Sequence, residues 1–255
     1  MTRNKNWTRE ETIIAFNVYC KVPFKNSSKT HPTIIKYANI IGRSPSALNM
    51  KVGNFGRLDP ELKKKGIRGL VHGSKLEEDV WNEFNGNWDQ LAFESERLIA
   101  AFQNKTIEQI ENIDMDDLPK GEDRITAIKT RVNQSFFRST ILSSYNLKCC
   151  ITGLSVPEFL IASHIIPWSE DEENRTNPHN GLCLNSIHDR AFDNGFITVT
   201  PDFKILVSNF FDDYANDKAV TEFFRKYQEQ SIILPDRFLP DKEFLDFHYH
   251  NIFRK

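Results

Sequence analysis

The chain reads as an α+β protein, with a helical N-terminal part containing a helix-turn-helix-like module and a C-terminal domain built on strand, strand and helix. Three observations predict this. Apolar residues recur at helical spacing as far as about residue 145. Short apolar runs separated by turn residues take over after Gly153. Charge is segregated: residues 1–75 carry 15 Lys and Arg against 4 Asp and Glu, and the remainder carries 18 against 31, so the net −2 joins a basic segment to an acidic one. A basic module of this kind suits a polyanion.

The first helix is announced by "WTREETIIAFNVYCKV", where Thr8 and Glu11 have capping-box spacing ahead of helical apolar periodicity. Pro23 to Pro32 reads as a polar loop. In "PTIIKYANIIGRSPSALNMKVGNF", Ala38, Gly42 and Leu48 sit where a helix-turn-helix places a small contact residue, a turn glycine and an apolar anchor. Ser46, Asn49, Lys51, Asn54 and Arg57 then project from or follow the second helix, toward a DNA major groove. A purely structural helical hairpin has the same pattern.

"GIRGLVHGSK" reads as an extended connection, and "KLEEDVWNEFNGNWDQLAFESERLIAAF" as helix broken near Asn85-Gly86-Asn87 with an acidic outer face. "NIDMDDLPKGEDR" reads as the domain linker. A helix is expected from about Val132 to Tyr145. Short strands follow in "EFLIASHI", "NGLCLN", "FITVT" and "KILVS", and a short helix "SIHDRAFDNG" stops at Asn194-Gly195. After Asp212 the chain returns to helix through "DKAVTEFFRKYQEQ", and the Pro-punctuated tail "LPDRFLPDKEFLDFHYHNIF" leads to a last helix. This divides the chain into a basic helical DNA-binding module (1–75), a helical connector and linker (76–124) and a C-terminal domain (125–255).

No apolar run approaches the roughly 20 residues that span a bilayer. The N-terminus lacks a signal-peptide apolar segment, so a cytoplasmic location is expected. Four cysteines at irregular spacing do not form a disulfide pattern.

His164 ends the first strand of the C-terminal domain and His188 lies on its short helix. Cleaving a phosphodiester requires activating water, holding the phosphate and stabilising the departing 3′ oxygen. A neutral imidazole can take a proton from water near pH 7. A divalent metal can neutralise phosphate charge, and a facing imidazole is a candidate ligand for it.

"CCITGLSVPEFLIASHIIPW" followed by "NPHNGLCLNSIHDRAFDNGFITV" closely resembles the HNH endonuclease family, whose site is a ββα-metal finger. The resemblance covers roughly Lys148 to Ser208 and points to the restriction and defence-type branch with an ASHIxPW…NPxNGLCLNxxHDxAFDxG signature. It implies that His164 is the general base, that the Asn180 amide fixes the hairpin carrying it, and that His188 ligates the metal. It also implies Mg²⁺ or Mn²⁺ as cofactor, double-stranded DNA as substrate and 5′-phosphate and 3′-hydroxyl products. Since one finger attacks one strand, a homodimer is expected for double-strand cutting.

Two departures matter. Ser163 stands where many relatives place an extra ligand, and is at most a minor participant. The paired Cys-x-x-Cys motifs of zinc-stapled relatives are missing, so no structural zinc is expected, and Cys149, Cys150 and Cys183 read as buried apolar residues. Arg190 is a phosphate-contact candidate on the short helix. Asp193 reads as a local pairing or capping residue, His179 as a solvent-facing bystander, and Pro167 and Trp168 as strand-terminating packing. The rival readings are a non-catalytic helix-turn-helix regulator that uses the finger as scaffold, and a nuclease acting on RNA or only on modified DNA.

Overall fold

A computed structural model describes residues 6–66, 73–114 and 123–255. Parts of the two expected connections, residues 67–72 and 115–122, lie outside the described residues. The chain is α+β: helices dominate, and the strands form two small antiparallel pairs. It divides into two compact units at Thr140/Ile141.

In the first unit, helix α1 (Arg9–Lys21) is capped as its sequence predicts. Thr8 Oγ1 accepts from the Glu11 amide at 3.2 Å, and the Glu11 carboxylate accepts from the Thr8 amide at 2.9 Å. Ile13, Ile14, Ala15, Phe16, Val18 and Tyr19 are all fully buried, so α1 is covered on every side as a central helix must be. Its partners are α2 (Pro32–Ile40), α3 (Pro45–Phe55), α5 (Lys75–Phe84) and α6 (Trp88–Gln103), with the short α4 (Pro60–Lys64) and α7 (Ile107–Ile110) between and after them. Phe16 stacks on Phe55 at 4.8 Å between ring centroids and meets Trp81 at 5.0 Å. The segment read as connector therefore supplies core, through Val80, Trp81, Phe84 and Leu91. The structure joins it to the N-terminal helices and draws the division later.

Between α2 and α3 the chain turns at Gly42 with φ +67°, a conformation that costs glycine nothing. The Arg43 amide then bonds back to Ala38 O at 2.9 Å. Ala38 and Leu48 are fully buried at the helix contact. The Arg43 guanidinium grips Glu11 through both carboxylate oxygens, tying this turn to the start of α1.

Helix α8 (Asp123–Ser144) starts nine residues before the expected Val132. Its first turns are largely exposed, with Ile128 alone buried among the described residues there, although Ile125, Ile128 and Val132 already follow helical spacing. The helix ends where Asn146 and Leu147 take left-handed backbone angles.

In the second unit β1 (Leu160–His164) pairs antiparallel with β2 (Gly181–Asn185), placing His164 opposite Gly181 and Leu160 opposite Asn185. The Cys150 amide bonds to Cys183 O at 2.7 Å, and every residue of β2 is buried. Helix α9 (Ser186–Asp193) leaves β2 directly and packs back on both strands. Asn185 caps it, accepting from the Ile187 and His188 amides at 3.1 and 3.0 Å.

The hairpin of β3 (Ile197–Val199) and β4 (Ile205–Val207) follows, then α10 (Lys218–Phe223) and the final α11 (Lys242–Asn251). The expected long helix after Asp212 is broken: α10 spans 6 residues, and Phe224, at φ −128°, interrupts it before a turn of 3₁₀ helix. At Gly195 (φ +72°) the tail docks so closely that an added Cβ would sit 2.1 Å from Ile252 O. The Asn194-Gly195 stop signal is thus also a docking point.

Candidate active site

His164 stands at the end of β1 with its ring half-buried. Its Nε2 lies 2.9 Å from Arg175 O. A carbonyl can only accept, so Nε2 carries the proton and the lone pair is on Nδ1. Burial lowers the imidazole pKa and the Arg175 carbonyl partly offsets this, leaving the ring neutral at pH 7. The Trp168 ring meets the imidazole edge-on at 5.5 Å. Arg175 closes the loop between them, since its Nε donates to Trp168 O at 2.7 Å and its guanidinium lies 5.2 Å from the indole centroid.

Asn180 is completely buried behind this hairpin. Its Oδ1 accepts the Ile166 amide at 2.8 Å, and its Nδ2 donates to Ile166 O at 3.1 Å and Asn174 O at 3.3 Å. The backbone adds Ile165 N–H to Asn180 O at 3.0 Å. One carboxamide thus holds the chain two residues beyond His164.

His188 lies on the short helix α9, as the sequence suggested. It is 2 % exposed, and both ring nitrogens are engaged. Nδ1 accepts from Asn185 Nδ2 at 2.8 Å, and Nε2 donates to Phe223 O at 2.7 Å. Phe224 and Tyr227 pack edge-on against the ring. Both nitrogens are thus taken by protein partners in this arrangement. Asn185 Nδ2 also approaches Cys149 Sγ at 3.6 Å and Thr152 Oγ1 at 3.4 Å. Burial raises the Cys149 thiol, but the polar surroundings of His188 and Thr152 outweigh it and bring the group down to about 7. Cys149, Cys150 and Cys183 are all fully buried.

The next helical position and the one a turn later hold Asp189 and Asp193, which the i,i+4 spacing places on one face of α9. Burial raises Asp189, and the Ser163 hydroxyl partly restores its acidity. Asp193 is raised to about 6 by desolvation and then by the Asp189 charge, although its outer side meets solvent. The Ser163 Oγ is buried and close enough to favour the Asp189 anion, yet makes no well-formed hydrogen bond. Such an orphaned hydroxyl beside two repelling carboxylates matches the oxygen donors a hard divalent cation takes, with water and substrate completing its shell. Among the described residues no three His, Cys, Asp or Glu side chains cluster as a metal cage. The signal for the acid pair was in the sequence, in the four-residue spacing of Asp189 and Asp193.

The remaining candidates fall elsewhere. Arg190 is exposed on α9. His179, expected at the surface, instead meets Leu239 O through Nδ1 at 2.7 Å. In the first unit Ser46 is exposed on α3, and Asn49 Oδ1 accepts from Ser27 Oγ at 2.6 Å. Lys51 is 6 % exposed and donates to Glu77 at 2.6 Å, while Arg57 donates to Glu78 at 2.9 Å. These two cations are turned toward α5 carboxylates.

Comparison with curated proteins finds no match to the chain. Residues 149–200, the stretch holding β1, β2 and α9, match the HNH_2 family model, described as HNH endonuclease. A fold in which an asparagine braces the histidine-bearing hairpin, and a helix carrying two carboxylates packs beneath it, lies in that same stretch, which is similar to the HNH endonuclease family.

Proposed function

We propose that the protein is a divalent-metal-dependent endonuclease that hydrolyses phosphodiester bonds of double-stranded DNA, acting in restriction or defence against foreign DNA. What supports this is that a neutral, carbonyl-held His164 and the Ser163, Asp189 and Asp193 oxygens all lie inside the matched segment.

In this reading His164 Nδ1 accepts a proton from water as the oxygen attacks phosphorus, and the bond from phosphorus to the 3′ oxygen breaks. The products carry a 5′ phosphate and a 3′ hydroxyl. Asn180 sets the position of His164 by holding Ile166. Asp189 and Asp193, with Ser163, are the residues that would hold Mg²⁺ or Mn²⁺, and His188 instead braces α9 from behind. The ion, when bound, supplies charge neutralisation of the phosphate and of the leaving oxygen. Protein ligands this few suit Mg²⁺, which keeps several of its waters.

The basic N-terminal segment supplies affinity for the polyanion. Ser46 on α3 and Arg190 on α9 are the exposed members of the proposed DNA contacts. Asn49, Lys51 and Arg57 join them only by exchanging partners. Cutting both strands requires two such sites, hence a homodimer. Among the described residues no helix is long and apolar enough to cross a membrane.

The test is supercoiled plasmid incubated with the purified chain and Mg²⁺ or Mn²⁺. Conversion to nicked or linear DNA that EDTA stops is the expected result, and intact plasmid with either ion would reject the reading.

A further inference from the structure

The first unit contains a cavity of about 710 Å³ laid along the exposed edge of α3. It is lined by Trp7 and Arg43, by Ser46, Met50, Lys51 and Asn54 of α3, and by Leu76 and Glu77 of α5. Its volume lies within the roughly 300–1,000 Å³ typical of small-molecule sites.

The lining suits a flat, neutral, π-rich ring. Trp7 presents an indole, with the Arg43 guanidinium 4.8 Å and the Lys51 ammonium 4.9 Å from its centroid. Met50, 59 % exposed, offers a thioether wall, and Ser46 and Asn54 offer edge hydrogen bonds. Both cations are already paired, Arg43 with Glu11 and Lys51 with Glu77, so the cavity is nearly neutral inside a strongly basic segment. Phosphates gain little from cations so engaged, and the net positive charge of residues 1–75 as a whole can attract them. A stacked base gains from indole and guanidinium surfaces together.

A duplex groove is concave and takes a convex helix, whereas here α3 lines a cavity together with Trp7 and Leu76.

We propose that this cavity receives a single nucleobase extruded from the duplex, so that the N-terminal unit reads its substrate by capturing one base. The proposal rests on DNA being the substrate, and it names the step at which the substrate is selected. A base leaves the stack most easily at a mismatched or damaged pair, which sets the probe.

The test measures binding of the full chain by fluorescence anisotropy in EDTA, so that cleavage plays no part. The probes are a short fully paired duplex and the same duplex with one mismatched base. The parent protein should bind the mismatched duplex roughly tenfold or more tighter, the worth of one base stacked on an aromatic ring. Trp7→Ala should bring the two affinities to within about twofold. Ser46→Trp should do the same by filling the cavity mouth from an exposed position, and it decides the matter if circular dichroism shows that Trp7→Ala does not fold. Equal affinities in the parent would overturn the proposal, as would a preference that survives in both folded variants. A preserved preference in a protein that cuts no plasmid would sink the nuclease reading and leave this one standing.

Discussion

Asn180 and Ile166 are joined by two hydrogen bonds, amide to Oδ1 at 2.8 Å and Nδ2 to carbonyl at 3.1 Å, and both residues are buried. A side chain here imitates a neighbouring strand. It pairs both polar groups of Ile166 where the hairpin has run out of backbone partners, and so fixes the exit of the strand that carries His164. Asn180→Ala strands those groups. The expected cost is about 2–4 kcal/mol, one desolvation penalty for each, read as a lower urea midpoint at unchanged slope. Nicking should fall by more than tenfold at temperatures where the variant is folded, because misplacing a base by about 1 Å costs that much or more. Asn180→Asp keeps the acceptor and loses the donor, so it should fall between the two.

His164 gives a pH prediction with a definite sign. Burial depresses its pKa, so the neutral, proton-accepting form persists below the ordinary value near 6.5. The acid limb of the plasmid-nicking rate should therefore have its midpoint below pH 6.5, with no loss between pH 8 and 7. His164→Ala should lower the rate by about 10²–10⁴ while leaving plasmid binding in EDTA within about twofold of the parent. A variant that nicks at the parent rate would show that another group activates the water.

The acid pair and His188 make opposite predictions. Asp189→Asn and Asp193→Asn remove oxygen donors and mutual repulsion. In EDTA at pH 7.5 each should leave the melting temperature unchanged or raise it, by at most about 1 kcal/mol for Asp193 once solvent screening on its exposed side is counted. The sign follows from its pKa, which is raised on folding to about 6, so ionised Asp193 opposes folding above that pH and the penalty fades as pH falls toward 4. Both variants should lose the rise in melting temperature that Mn²⁺ gives the parent. His188→Ala should do the reverse: a drop of about 2–4 kcal/mol from stranding Asn185 and Phe223 O and opening a cavity, with the Mn²⁺ response retained. Loss of that response in folded His188→Ala would return His188 to the metal.

Much of this was legible in the chain. The Thr8–Glu11 box, the Gly42 turn and the β1, β2, α9 order all follow from local chemistry in which neighbours decide the outcome. What was not legible depends on partners distant in sequence. Lys51 and Arg57 look like free cations until Glu77 and Glu78 arrive from α5. The partners that enclose His188, Phe223 and Tyr227, likewise come from far along the chain. His188 and Asp189 are about 100° apart around α9, and of the two it is Asp189 whose i,i+4 spacing shares a face with Asp193. The start of α8 was missed although Ile125, Ile128 and Val132 follow helical spacing, because most of these first turns are polar and exposed.

The last prediction concerns the support behind α9. His248 on α11 is 1 % exposed, with Nδ1 2.8 Å from Thr198 Oγ1 and Nε2 3.1 Å from Phe192 O. Its ring stacks on Phe192 at 3.7 Å. Because Nε2 meets a carbonyl, it carries the proton, and Nδ1 accepts from the threonine. A protonated ring would have to turn a second N–H toward Thr198 in a buried site, so desolvation drives the pKa down to about 4, with the Phe192 carbonyl partly opposing it. A histidine depressed on folding contributes stability that is present above its unfolded value near 6.5 and is lost as pH falls through about 4. The loss over that window amounts to about 3 kcal/mol, at 1.36 kcal/mol per unit. Urea midpoints measured from pH 7 to pH 4 should fall accordingly in the parent. In His248→Gln they should start lower and fall less steeply, because glutamine can bond Thr198 or Phe192 O without titrating. Parallel slopes in the two proteins would place the acid-sensitive group elsewhere.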